Sequence, residues 1–385
     1  MADVSRRTLM TGALGLAGAA VLGPGLAACT GAPTPQVSPT TTPPPATPAA
    51  TPTQTPTPTA TPKPVDSRPR WPLTGKLLKD PADAKRAVVA VKVPDNRGEH
   101  PQQGLNDADI VFVELDGYPA VLGQSGTRLV PVFHSSYADN VAPVRSIRPV
   151  DIPLLSPVNA IIGNTGGAGW TLRYFKEHAK GLDFKKTYMA TRGTGSYSID
   201  GPRVRTIGGV KFYDRAVVCH PDKLRRQSKI KTTPQVLYFP FATGDEKPST
   251  QVQGKPATTV TVPWKKGDSY DMTYSWSEKQ GRWLRSMPWG KHVLKNGDRV
   301  TTDNVLVILA NQRFAHHEPF HDVTGKKGEF WYFQGGRYVK GTWAKAKDVD
   351  SLFAFTLADG SPLKMAPGRT FVELPNLKAR IGVKA

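Results

Sequence analysis

The stretch from residue 30 to residue 64 divides the chain into a part that cannot fold and a part that must supply every buried contact. It holds 12 Pro and 12 Thr among its 35 residues. Such a composition has too few apolar side chains to bury a core. Proline biases it toward polyproline II, which at about 3.1 Å per residue would reach roughly 100 Å. Residues 30–68 therefore read as a linker, and its threonines are candidate acceptors for O-linked sugars.

An export address precedes the linker. Ser5-Arg6-Arg7-Thr8-Leu9-Met10 has the form of a twin-arginine start. The apolar stretch Ala13–Leu26 is too short to span a bilayer as a permanent helix. Leu26-Ala27-Ala28-Cys29 then reads as a lipobox. Residues 1–29 are assigned to a twin-arginine lipoprotein signal peptide, with Cys29 as the lipidated residue. The alternatives are a general secretory signal and cleavage that leaves a soluble protein. Two acyl chains give a stable anchor where one gives only marginal binding. The expected location is extracytoplasmic, at the cell membrane, with the membrane itself a partner through the lipid.

The formal charge is +20, and the signal carries Arg6, Arg7 and Asp3, a net +1, leaving +19 (20 − 1). Outside the cell this field meets anionic wall polymers and headgroups, and nucleic acid is excluded by compartment. An equally bland reading is that the charge aids solubility. Of the two cysteines, Cys29 is used by the anchor, which leaves Cys219 without an intramolecular partner. Its neighbours Val217 and Val218 point to a buried strand position.

From residue 65 onward there is enough chain for two domains. Ala87–Val93, Ala108–Glu114, Thr127–His134 and Val158–Ile162 read as strands, and Val204–Val210 and Ala216–Cys219 as further ones. Trp170–Lys180 has helical spacing, with Trp170, Tyr174 and Phe175 on one side. Basic, polar Arg225–Lys231 marks a boundary. Beyond it, short strand candidates such as Val236–Phe241, Tyr270–Ser275, Asn304–Ala310 and Thr370–Leu374 are separated by turns, with no convincing helix. The expected class is α+β: an N-terminal mixed α/β-sheet domain at 69–230, followed by a mostly β domain at 231–385.

Several ordered stretches carry a resemblance. They are Pro72-Leu-Thr-Gly75, Pro101-Gln-Gln-Gly-Leu-Asn-Asp-Ala-Asp-Ile-Val-Phe-Val-Glu114, Thr127-Arg128, Phe133-His-Ser135 and Pro143-Val-Arg-Ser-Ile-Arg-Pro149. In the second half they are Asn304-Val305, Gly328-Glu-Phe-Trp331, Gly341-Thr-Trp-Ala-Lys345 and Pro367-Gly-Arg-Thr-Phe371. From Trp71 onward the chain resembles the YerB-like family of bacterial lipoproteins, whose two domains are of unknown function. It departs at Cys219-His220-Pro221, where the family has a Pro-His-Asn type stretch. The resemblance implies a two-domain lipoprotein and no reaction type.

Five polar residues form the main candidate constellation. Glu114 and His134 end strands, Arg128 lies on one, and Arg145 and Arg148 flank Ser146-Ile147 in a Pro-bounded loop. At one sheet edge, arginines would fork onto a phosphate or carboxylate while Glu114 or His134 served as acid/base. The competing reading is a structural ion-pair network closing that loop onto the sheet. The loop Gly163–Gly169 sits before a helix, so Asn164, Thr165 and Gly166 are candidates to cup an anion. It lacks the P-loop ending and the dinucleotide spacing, and tight packing explains its glycines equally well.

His317-Glu-Pro-Phe-His321 mimics the zincin pattern, but Pro319 would break the helix that pattern needs. A looser site at His316, His317, His321 and Asp322 has only its ligand types in favour. No metal and no cofactor are expected. Trp264, Trp276, Trp283, Trp289, Trp331 and Trp343 read as core, with a carbohydrate-stacking face as the rival. No nucleophile elbow is present. The expected function is non-catalytic binding of anionic cell-wall polymer or an envelope protein partner. The alternative is an envelope hydrolase or transferase acting on phosphate-bearing or glycan substrates.

Overall fold

Apolar side chains that alternate along a strand need one covered face, and continuous apolar strands need two. Both kinds occur, and among the described residues they build two large sheets beside three two-stranded ones. The computed structural model describes residues 67–117, 126–213, 215–264 and 270–385. The signal, Cys29 and nearly all of the linker lie outside the described residues.

The main sheet runs in the spatial order Lys255–Pro256, Arg337–Lys345, Lys326–Gln334, Asn304–Ile308, Thr370–Glu373, Ile110–Leu115, Thr127–Phe133, Val89–Val91 and Ile161–Gly163. Thr370–Glu373 pairs in parallel with both Asn304–Ile308 and Ile110–Leu115. Val89–Val91 pairs in parallel with Ile161–Gly163, and Ile110–Leu115 is antiparallel to Thr127–Phe133. The sheet therefore continues across residue 230. Ile110–Leu115, Thr370–Glu373 and Asn304–Ile308 are buried at every position, as expected for central strands covered on both faces.

The second sheet is antiparallel. It orders Gly290–Lys291, Arg282–Met287, Asp271–Ser277, Thr259–Pro263 and Gly382–Lys384. Thr259–Pro263 and Arg282–Met287 alternate between buried and half-buried positions. The class is thus α+β, with a mixed-sheet first half and a mostly β second half.

The helix expected over Trp170–Lys180 spans Gly169–His178 and buries Phe175, while Tyr174 stacks between Trp170 and His178. A one-turn helix, Ser249–Gln253, interrupts the second half, where no helix was expected. The strand expected at Val236–Phe241 is an irregular segment held by a bridge from Phe241 to Met365. Pro240 has no N–H to donate to a ladder there. The strand expected at Val204–Val210 turns back on itself at Gly208-Gly209, both with positive φ, because paired glycines suit a tight hairpin turn. Cys219 is buried, as expected of a strand residue.

Residues Lys63–Ala385 form one compact unit, and the buried core lies wholly within it.

Candidate functional site

Where the first-half strands end and the second sheet meets them, the surface opens into a cavity of about 690 Å³. Arg97 and Glu99 come from the turn after Val93–Pro94, and Arg128 from the start of Thr127–Phe133. Arg145 and Ser146 come from the Pro-bounded loop, and Arg205 and Arg215 from a hairpin and the segment after it. Tyr270 and Trp289 close the other wall. Five arginines face two carboxylates, Glu99 and Asp116, a net +3 (5 − 2).

The carboxylates hold three of the cavity arginines, Arg128, Arg145 and Arg215. Glu99 pairs with Arg145 and lies 3.5 Å from Arg215 Nε. Asp116 pairs with Arg128, lies 3.2 Å from Arg148 Nη2 and accepts from Asn96 Nδ2 at 2.9 Å. Burial acts to raise the Asp116 carboxyl, but Arg128 and Arg148 outweigh it and hold it below the usual range. Arg148 donates to the Asp116 carbonyl at 3.0 Å and pairs with Glu318 at 3.3 Å. It braces the cavity from behind and does not line it.

A fully buried triad lies beneath. Lys92 Nζ binds Glu114 and, at 2.5 Å, Asp151, with all three side chains at zero exposure. Glu114 stands opposite Arg128 in the strand register. Burial and then the neighbouring Asp151 raise the Glu114 carboxyl above the usual range. Burial also pulls the Arg128 guanidinium down to about 10.

Glu114, Arg128, Arg145 and Arg148 thus belong to one charged assembly, and His134 does not. His134 follows the far end of the strand that starts at Thr127, six positions from Arg128, or about 20 Å at the strand rise. It is buried against Trp71 and its Nε2 faces the Ala84 carbonyl at 2.9 Å. Neither Glu114 nor His134 lines the cavity. In the glycine-rich loop the amides expected to cup an anion are bonded internally. Asn164 N donates to Tyr197 Oη, Thr165 N to the Arg145 carbonyl, and Gly166 N to Asn164 Oδ1. The loop instead braces the arginine-bearing segment, since Ile147 N donates to the Gly166 carbonyl.

A second polar centre went unread in the sequence. Asp95 accepts from Arg285 Nη2 at 2.7 Å, Thr127 Oγ1 at 2.9 Å and Gln102 Nε2 at 3.1 Å, with His100 Nε2 at 3.2 Å. Arg285 also lies 3.9 Å from Glu373, which accepts from Tyr274 and from Trp264 Nε1. Burial raises the Asp95 carboxyl, but Arg285 outweighs it and drives it far below the usual range. The signal available was period two: Trp283, Arg285 and Met287 share the buried face of one strand. An arginine there requires an acidic partner.

Asp95, His100 and His292 bring ligand atoms within 4.8 Å of one another. A metal does not suit them. The Arg285 guanidinium already contacts both Asp95 and His292 Nδ1, the latter at 2.8 Å. His292 Nε2 meets Gln102 Oε1 at 2.8 Å. A fixed cation thus occupies the place a metal would take. The zincin-like stretch is a hairpin, Asn311–Ala315 against Glu318–Asp322, with His316 and His317 at positive φ in its turn. Pro319 sits in a strand there, and no helix aligns the two imidazoles. Trp264, Trp283 and Trp343 are buried, while Trp276, Trp289 and Trp331 are partly buried against the core.

Burial lowers His134 to about 4 and His321 to about 3. Both folded values lie below the unfolded value near 6.5, so the unfolded chain binds more protons below pH 6.5. Stability is therefore lost as pH falls through that window, by about 2 kcal/mol per histidine at pH 5. The pH 7 to pH 5 change in urea midpoint, compared between the protein and its His134→Gln and His321→Gln variants, measures this, and a change that the substitutions leave unaltered would contradict it.

Comparison with known proteins places this geometry in a family. The domain described as "Protein of unknown function (DUF3048) N-terminal domain" matches residues 73–200. The corresponding C-terminal domain matches residues 260–372. The Bacillus subtilis (strain 168) protein "Putative lipoprotein YerB" is 25% identical over 321 residues, covering 80% of this chain and 87% of that protein. A crystal structure of the Bacillus subtilis YerB protein matches with a TM-score of 0.63 at 21% identity, over 81% of this chain and 99% of that one. At that identity it shows a shared fold.

Proposed function

The chain belongs to the two-domain DUF3048 family of unknown function, and on that premise we propose that it is a non-catalytic envelope receptor for phosphate-bearing anions, wall polymer among them. The observation that carries this reading is the five-arginine cavity with its net +3. Guanidinium groups fork onto phosphate oxygens, and Glu99 and Asp116 hold those of Arg128, Arg145 and Arg215 in position before any ligand arrives. Membrane anchoring through lipid on Cys29, suggested by the lipoprotein name of the relative, would hold the cavity near the envelope anions, and the Pro/Thr linker would set its reach. The hydrolase or transferase alternative is disfavoured because Glu114 and His134 are sealed from the cavity.

Titration of residues 63–385 with poly(glycerol phosphate) in a calorimeter tests the proposal. Binding is expected to weaken steeply with salt. The double variant Arg97→Gln/Arg215→Gln should lose about tenfold or more in affinity per arginine, the scale of a charged hydrogen bond. Absent or salt-independent binding would overturn the reading.

A further inference from the structure

The arginine cavity continues into an exposed apolar surface. The hairpin Arg205–Ile207/Val210–Phe212 pairs Arg205 with Phe212, Thr206 with Lys211, and Ile207 with Val210. Residues directly opposite, and residues two apart along a strand, share one face. Arg205, Phe212, Ile207 and Val210 therefore share a face, with Thr206 and Lys211 on the other. Arg205 lines the cavity, so the face bearing the apolar residues is the one that adjoins it.

That face is uncovered. Ile207 is 56% exposed, Val210 58% and Phe212 40%. Three of the ten large apolar residues exposed among the described residues share this face within six positions. Single exposed apolar residues are ordinary, whereas a cluster beside a polar site marks a contact surface. The hairpin has no core beneath it that would require these side chains, because all but one of its six strand residues are exposed.

We infer that the phosphate taken by the cavity is carried on a membrane lipid, with the headgroup among the arginines and the hairpin tip pressed into the bilayer. This deepens the proposed function and rests on it. Charge complementarity selects the occupant: the cavity is +3, which suits an anionic lipid surface. An aliphatic tip with a basic base is the arrangement of an interfacial anchor. The Gly208-Gly209 turn lets Ile207 and Val210 lead.

The test uses residues 63–385, which lack both Cys29 and the apolar signal, so that neither contributes to binding. Phosphatidylcholine vesicles doped with phosphatidic acid are compared with undoped vesicles in a flotation assay, and glycerol phosphate is titrated in parallel. Doped vesicles should bind and undoped ones should not. The variant Ile207→Ser/Val210→Ser, checked for an unchanged thermal melt, should lose about tenfold or more of its vesicle affinity and keep its affinity for glycerol phosphate. Unchanged vesicle affinity in that variant overturns the inference. Glycerol phosphate binding without vesicle binding also overturns it, while leaving the anion receptor intact. If neither ligand binds, both readings fall.

Discussion

Replacing Arg285 with Met lowers the free energy of unfolding by about 3–5 kcal/mol, the cost of breaking a buried ion pair from one side. Arg285 comes from the second half of the chain and Asp95 from the first, and both are buried. Without the guanidinium, Asp95 and Glu373 stay buried and lose the arginine they share. In the native protein the folded Asp95 value lies below the unfolded one. Its contribution is therefore present above the unfolded carboxyl range and is lost only as pH falls through the folded value. The variant's deficit should be largest at neutral pH and shrink toward pH 4, where the stranded carboxyl takes a proton. Asp95→Asn combined with Arg285→Met should recover part of the loss, since neutralising both partners removes the stranded charge. Urea unfolding measures all three proteins. A loss below about 1 kcal/mol, the scale of surface pairs, would remove Arg285 from its role as the link between the halves.

Replacing Lys92 with Met should be comparably damaging, about 3–5 kcal/mol by the same reasoning, with a deficit that likewise grows with pH but over a higher range. Lys92 separates Glu114 from Asp151, and without it two buried carboxyls face one another. Burial and Asp151 already raise Glu114 above its unfolded value of 4.5. A raised carboxyl means the folded state binds more protons, so stability falls as pH rises from the unfolded value through the folded one. Removing the ammonium steepens this, by at most about 1.4 kcal/mol per pH unit for each proton involved. The deficit at pH 8 should therefore exceed that at pH 5. Equal deficits would show that Lys92 does not govern Glu114.

The two variants also separate structure from recognition. Neither Lys92 nor Arg285 lines the arginine cavity, so residual folded protein of either variant should still bind the anion. Arg97 and Arg215 lie at the cavity, and their loss should affect binding first.

Local pattern was enough to place several elements. Runs of apolar, β-branched residues located the strands Ile110–Leu115 and Thr127–Phe133, and helical spacing located Gly169–His178. These signals are local because a strand or helix turns a fixed fraction per residue. The same signals grouped Glu114, Arg128, Arg145 and Arg148 near strand ends, where the structure joins them. They misplaced His134, because the end of a strand in sequence does not say which end of the sheet it reaches. Antiparallel pairing put Arg128 and His134 at opposite ends of the same strand.

Composition by itself made the chain beyond residue 64 strongly basic and pointed Cys219 to the inside, and it set the expectation of a linker at residues 30–64. What only the tertiary structure decided was partnership. Asp95 meets Arg285, and Thr370–Glu373 enters the sheet beside Ile110–Leu115, across most of the length of the folded chain. Such contacts are chosen by the register and burial of elements that carry no mutual sequence spacing. The arginines were legible one by one, but the cavity they line exists only because two distant halves share a sheet and a buried ion pair.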